Sequence, residues 1–338
     1  MSNDYFDDVD ASYEPGLYDR WRPALIAFAV LLTVVAIAVL RNSSSNESTN
    51  GSNPDVVDSS GVPRVTVPLT RTLRDGMKGD DVLRLQERLA ELKFDPGPRD
   101  GVFGQNTLQA VWAFEKLVLD TPREDARGEV TPSIWSIMES DLKIQPRRVP
   151  DSPRHVEIDL VKQVMIVFQG GTPTLVTHMS SGSNEKWCEE VTIDPGEDGN
   201  NTREQIKKGI CGDAITPPGI FYFYNRKQGM RESKLGTMYN PVYFNYGIAV
   251  HGAILVPLEP ASHGCVRIPM SVARYFPALV EYGDRVYVFD GIKEPEEYGS
   301  PPPPWDRPDP NYTTTTSIAP TTTLKGAPTT TVPPTTLP

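Results

Sequence analysis

Read for hydrophobic and polar positions, the chain changes period several times along its length. Ala24 to Leu40 is 17 residues without a charge, apolar but for Thr33, with Arg20 and Arg22 before it and Arg41 after it. At about 1.5 Å per helical residue this run reaches roughly 25 Å, and Trp21 stands at its edge, so it predicts a transmembrane helix over residues 24–41. A cleaved signal peptide is the competing reading, because Ala36-Ile37-Ala38 resembles a small-residue cleavage site. The leading segment, residues 1–23, is long and acidic (Asp4, Asp7, Asp8, Asp10), whereas a signal peptide starts with a short basic region. The expectation is an uncleaved single-pass anchor in the cell membrane. Its N-terminus would be cytoplasmic and the rest of the chain would lie on the extracytoplasmic side.

Residues 71–142 carry a helical period. Val82, Leu85, Leu89 and Leu92 follow i, i+3, i+7, i+10 after Asp80 and Asp81, which are placed to cap the helix start. Leu108, Val111, Trp112 and Phe114 form a second stripe after Thr107, which is expected to cap that helix, and Thr131-Pro132 reads as N-cap and first residue of a third helix. A small all-α three-helix domain is predicted. From His155 the period falls to two: Val156 to Leu160 alternates, Val164 to Phe168 is a β-branched apolar run, and Gly170-Gly171 turns into Thr174 to Met179. With Ile220 to Tyr224, Ile248 to His251 and Arg285 to Phe289, these predict a mainly-β domain over 150–292, with one short helix after Ser271. Residues 42–70 are Ser/Asn/Gly/Asp-rich and read as a flexible linker. Residues 293–338, rich in Pro and Thr, read as a disordered tail.

Composition adds two constraints. The net charge is −11 and no Lys/Arg cluster is present, which excludes nucleic acid as a partner. The only cysteines are Cys188, Cys211 and Cys265. An odd count in an exported chain predicts one bridge and one free thiol. Cys188 and Cys211 flank a polar loop, Pro195 to Lys208, and are expected to form the disulfide, leaving Cys265 free.

The densest chemistry is His251-Gly252-Ala253 followed by Pro260-Ala261-Ser262-His263-Gly264-Cys265-Val266-Arg267. A cysteine becomes a nucleophile when a nearby base takes its proton. His251 ends an apolar strand that would hold an imidazole rigidly. Gly264 would let a substrate carbonyl approach backbone N–H groups, and Arg267 would hold a carboxylate. All four histidines precede Cys265, which excludes the papain order of Cys before His. Two rival classes remain. One is a zinc hydrolase with His251, His263 and Cys265 as ligands, for which the accompanying carboxylate motif is missing. The other is a non-catalytic wall anchor. The expectation is no metal and no cofactor.

This stretch resembles the catalytic domain of the L,D-transpeptidase (YkuD) family, whose signature is His-Gly, a loop, then Ser-His-Gly-Cys-(Val/Ile)-(Arg/Asn). The resemblance also runs through His155 to Ser181, Thr216-Pro217-Pro218-Gly219-Ile220-Phe221 and Gly283-Asp284-Arg285-Val286-Tyr287. It implies Cys265 as nucleophile, His251 as base and Gly252 as the carbonyl that orients the base. His263, Gly264, Ser262 and Arg267 would form the oxyanion and substrate site. Tyr243 and Asn245 are added as pocket walls on proximity in sequence. The implied activity is transpeptidation of tetrapeptide stems to 3→3 cross-links through a thioester, with an L,D-carboxypeptidase as the alternative. The helical segment resembles the three-helix peptidoglycan-binding domain, through Leu73-Arg74-Asp75-Gly76, Gly79-Asp80-Asp81-Val82, Leu85 to Leu89, Asp100-Gly101-Val102-Phe103-Gly104, Thr107, Ala110-Val111 and Phe114. Glu115 stands where that family often has Gln, and a helical spacer that binds nothing remains open. The implied partners are peptidoglycan stem peptides and glycan, with the membrane held by the N-terminal helix.

Overall fold

The run Val164 to Phe168 is apolar at every position because its strand is buried on both faces. Met165 and Val167 point into a core formed with a second β-sheet, while Val164, Ile166 and Phe168 pack against the helical domain. The computed structural model describes residues 67–149, 152–197, 199–299 and 306–313, all within one unit, Asp58–Pro338. The predicted membrane span, the segment before it and most of the linker lie outside the described residues. Among the described residues, no helix is long and apolar enough to cross a membrane.

The helical part holds α1 (Asp80–Glu91), α2 (Gln105–Val118) and α3 (Pro132–Met138). Val82, Leu85, Leu89, Val111 and Phe114 are buried in it. Thr131 caps α3, its hydroxyl accepting the Ile134 N–H at 3.2 Å with Pro132 in the first turn. The other two caps differ from expectation. Gly79 occupies the N-cap of α1 without a side-chain bond, and Asp80 and Asp81 sit in the first turn, where they face the helix dipole. Gly104 occupies the N-cap of α2. Thr107 lies inside that helix, bonded to Gln86 at 3.1 Å and to the Pro96 carbonyl at 3.2 Å.

The β part contains β1 (Arg154–Asp159), β2 (Val164–Gln169), β3 (Thr172–His178), β4 (Lys186–Ile193), β5 (Ile206–Asp213), β6 (Gly219–Tyr222), β7 (Asn225–Arg226), β8 (Met230–Ser233), β9 (Gly236–Asn245), β10 (Ile248–Ala253), β11 (Val266–Pro269), α4 (Met270–Ala273), β12 (Arg285–Phe289) and β13 (Arg307–Pro308). One sheet runs β3-β2-β1-β12-β6 and a second runs β11-β10-β9-β7, with β8 also on β9. Val156, Ile158, Met165 and Val167 from the first meet Val242, Phe244, Val250, Val266 and Ile268 from the second. A third sheet, β13-β5-β4, carries the cysteine pair. The polar loop expected over Pro195–Lys208 is shorter, because Ile206 to Lys208 already belong to β5.

Chain expected to be linker or tail is partly built into the fold. Leu69 is buried, and the Trp135 indole donates to the Val67 carbonyl at 3.1 Å. Past residue 293, β13 pairs with β5, Arg307 reaches Asp213 at 3.1 Å, and Tyr312 donates to Glu190 at 2.9 Å. Residues 306–313 therefore belong to the fold, because an exposed strand edge found a partner.

Candidate active site

Side-chain alternation in the second sheet sorts the key residues. Val250, Val266 and Ile268 face the core. β10 and β11 run parallel, with Val250 opposite Val266 and His251 opposite Arg267. His251 and Arg267 therefore stand side by side on the other face, and Cys265, one residue before Val266, has the same parity. Gly252 follows His251 because β10 crosses α4 closely. A Cβ there would lie 2.6 Å from the Ala273 Cβ. The Gly252 carbonyl lies 3.0 Å from His251 Nδ1. A carbonyl only accepts, so Nδ1 carries the proton and Nε2 is left as the acceptor.

The loop before Cys265 is folded by Ser262. Its hydroxyl donates to the Cys265 carbonyl at 2.5 Å and accepts the Gly264 N–H at 3.0 Å. Gly264 has φ +135°, and a Cβ there would meet the Ile215 carbonyl oxygen at 2.9 Å, so only glycine fits. With its N–H committed to Ser262, Gly264 shapes the turn and is not a free oxyanion donor. The Gly264 carbonyl accepts from the Thr216 hydroxyl at 2.6 Å, and that hydroxyl in turn accepts the Gly182 N–H at 2.9 Å.

The electrostatics favour a neutral resting pair. Burial lowers the His251 pKa from 6.5 to about 4, and the Arg267 guanidinium pushes the same way against the Gly252 carbonyl. Burial raises the Cys265 thiol above its ordinary 9.0, opposed by the Ala249 N–H and by Arg267. The thiol also lies 3.8 Å from the Gly247 carbonyl. Arg267 is half-buried and, among the described residues, has no carboxylate within ion-pair distance. Its guanidinium is therefore available to an anion.

The remaining predicted residues fall in different places. His263 turns away to the third sheet, where Nε2 meets Glu189 at 3.1 Å and the ring packs edge-on to Trp187 at 4.9 Å. It positions the loop against β4. Tyr243 pairs with Ala249 in the ladder, and Asn245 ends β9, buried, its amide nitrogen without a partner among the described residues. Cys188 and Cys211 face each other across β4 and β5 and are disulfide-bonded; Cys265 is free. Among the described residues, the ligand atoms of His251, His263 and Cys265 do not converge within 4.8 Å of one another, so these three do not form a ready tetrahedral centre. Thr216 and Glu189 join the site although no catalytic motif marks them. Thr216 lies within Thr216-Pro217-Pro218-Gly219-Ile220-Phe221, part of the stretch that resembles the family. Glu189 has no signal in the sequence, since a carboxylate on a polar strand reads as solvated.

The chain matches two known families: the L,D-transpeptidase catalytic domain (YkuD) over residues 153–288, and the peptidoglycan-binding domain over residues 78–117. Among solved structures it is 32% identical to an L,D-transpeptidase of Xylanimonas cellulosilytica, over 66% of this chain and 100% of that one, with a TM-score of 0.53. An L,D-transpeptidase of Stackebrandtia nassauensis is 22% identical over 66% of this chain and 97% of that one, with a TM-score of 0.35. No curated protein matches the chain. The likeness to the first structure, over its whole length, together with the family match over residues 153–288, assigns the chain to the L,D-transpeptidase (YkuD) family, with a peptidoglycan-binding domain ahead of the catalytic domain.

Proposed function

We propose that this chain is a membrane-tethered L,D-transpeptidase that joins peptidoglycan stems by 3→3 cross-links through a thioester on Cys265. The observation that carries the reading is the free thiol one residue before β11, beside the strand face that holds a neutral, carbonyl-oriented His251 and Arg267, which has no carboxylate partner among the described residues. As the Cys265 sulfur attacks the diaminopimelate carbonyl of a tetrapeptide stem, the thiol proton passes to His251 Nε2. The carbon–nitrogen bond to D-alanine breaks, and D-alanine leaves with that proton. The side-chain amine of a neighbouring stem then attacks the thioester, His251 accepts its proton, and the thiolate is released and reprotonated. Water in place of the amine gives a carboxypeptidase. The oxyanion donor of this loop is the Cys265 N–H, because Gly264 N–H is engaged by Ser262. Arg267 holds a stem carboxylate.

Residues 24–41 anchor the protein in the cell membrane, and the catalytic domain works on the wall side. The test is mass spectrometry of tetrapeptide muropeptides incubated with the purified protein and with Cys265→Ala. The proposal expects D-alanine release with a new cross-linked dimer, and neither product from the variant. Free D-alanine without dimer makes the protein a carboxypeptidase. Undiminished turnover by Cys265→Ala overturns the reading.

A further inference from the structure

The helical domain contributes a residue to the interior of the catalytic domain. Lys116, near the end of α2, is fully buried, as are His178 at the end of β3 and Gln163 at the β1–β2 turn. The Lys116 ammonium donates to the Gln163 carbonyl at 2.9 Å and contacts His178 Nδ1 at 2.7 Å. His178 Nε2 lies 3.1 Å from the Val256 carbonyl and must donate to it, so Nδ1 is the acceptor and the imidazole is neutral. Val256 belongs to the segment joining His251-Gly252 to the Ser-His-Gly-Cys loop.

A second branch runs through Gln163. Its side chain bonds Ser181 twice, to the hydroxyl at 2.9 Å and from the N–H at 2.8 Å. The Ser181 carbonyl accepts the N–H groups of Ala261 and Ser262, both at 2.9 Å. Ser262 then holds the Cys265 carbonyl and the Gly264 N–H. Apart from Ala261 and Cys265 the members of both branches are buried, so a lost member leaves unpaired groups that the loop must move to satisfy.

We infer that Lys116 is a positioning residue for the reaction: it couples the peptidoglycan-binding helix to the loop that carries Cys265. It touches no substrate and acts through His178 and Gln163. The shared core gives this coupling a rigid frame, since Val176 N–H bonds the Lys93 carbonyl at 2.8 Å and Val164, Ile166 and Phe168 pack with Leu89 and Phe114. A solvated lysine tolerates many neighbours, whereas a buried amine with two fixed acceptors specifies one arrangement.

This inference rests on Cys265 being the nucleophile, and the experiment separates the two claims. Full-length protein carrying Lys116→Met, an apolar residue of similar length, is compared with Val111→Ala, a core truncation on the same helix outside the network. Readouts are thermal stability, kcat and KM on a tetrapeptide stem, and the alkylation rate of Cys265. Lys116→Met should lower kcat and alkylation by about ten- to hundredfold with KM little changed, since small misplacements at a reacting centre cost that much. Val111→Ala, even with an equal loss of thermal stability, should keep both rates. Wild-type kcat in Lys116→Met, or an equal rate loss in Val111→Ala, overturns the coupling. Should Lys116→Met not fold, Lys116→Gln carries the same test, and an unchanged kcat there overturns it as well. Turnover by Cys265→Ala would instead remove the nucleophile assignment and leave the network untouched.

Discussion

The resting protonation state of the Cys265–His251 pair follows from the structure and is open to direct measurement. Moving the thiol proton to the imidazole would take it from a group titrating above 9.0 to one titrating at about 4. The gap, 9.0 minus 4, is at least about 5 pH units, or about 7 kcal/mol at 1.36 kcal/mol per unit. Mutual attraction of the resulting ions, taken at about 4 Å and an effective dielectric of about 20, returns about 4 kcal/mol. The neutral pair is thus favoured by about 3 kcal/mol, and the thiolate forms only as the sulfur attacks. The assay is the ultraviolet absorption of thiolate across the pH range, wild type minus Cys265→Ala, with circular dichroism followed alongside to exclude unfolding. The expected curve shows no thiolate at neutral pH and a single step on the alkaline side of 9.0. His251→Ala should leave that step alkaline while cutting the alkylation rate at pH 7 by about a hundredfold or more, the usual worth of a positioned base. A thiolate signal present at pH 7 and lost on acidification would refute the reasoning, because it would mean an ion pair already formed at rest.

Three further outcomes are expected. Arg267→Gln should raise KM for a carboxylate-bearing stem by about ten- to a hundredfold, the worth of one charge-assisted bond, while Cys265 alkylation by a neutral reagent changes little; equal loss in both would place Arg267 in the proton chemistry instead. Thr216→Val keeps the shape but strips partners from the buried Gly182 N–H and Gly264 carbonyl, so denaturant unfolding should show a loss of about 2–5 kcal/mol that Thr216→Ser restores. The acid stability of the fold should fall in a defined window. His251 and His178 titrate at about 4 and about 3 in the folded chain against 6.5 when unfolded, so below pH 6.5 the unfolded chain binds more protons. The loss begins as pH falls through 6.5 and continues to about 4 for His251 and about 3 for His178. His251 alone contributes 6.5 minus 4, about 2.5 pH units or about 3 kcal/mol, and a denaturant midpoint flat between pH 7 and 4 would contradict it.

What could be read from the chain depended on whether a residue's environment was set locally. Thr131-Pro132 caps its helix because an N-cap needs only the next three residues. Val164 to Phe168 announces a strand because burial on both faces demands an unbroken apolar run. β4 and β5 carry no strand signal in the sequence for the opposite reason. β4 is largely exposed and in β5 only Gly209 to Gly212 are buried, so Glu189, Glu190, Lys207 and Lys208 give no apolar alternation, and only the ladder pairing Cys188 with Cys211 makes them strands. Asp80, Asp81 and Thr107 are residues that cap well, yet glycines took the cap positions. Asp81 was drawn instead to Arg71, and Thr107 to Gln86 across the domain.

Lys116 shows the limit most clearly. Beside Glu115 on an amphipathic helix it reads as a solvated cation, the usual fate of lysine at such a position. Nothing within one helical turn says otherwise, because the acceptors that justify its burial, Gln163 and His178, stand 47 and 62 residues away. Burial of the amine lowers its pKa to about 7, so desolvation is a real cost that two good hydrogen bonds offset. Such a group persists in a core only where its acceptors are held in register, and the register is supplied by the strands of the catalytic domain. The two family segments are therefore not beads on a linker. The helix that carries the peptidoglycan-binding motif ends in a side chain whose only satisfactory environment is the interior of its neighbour.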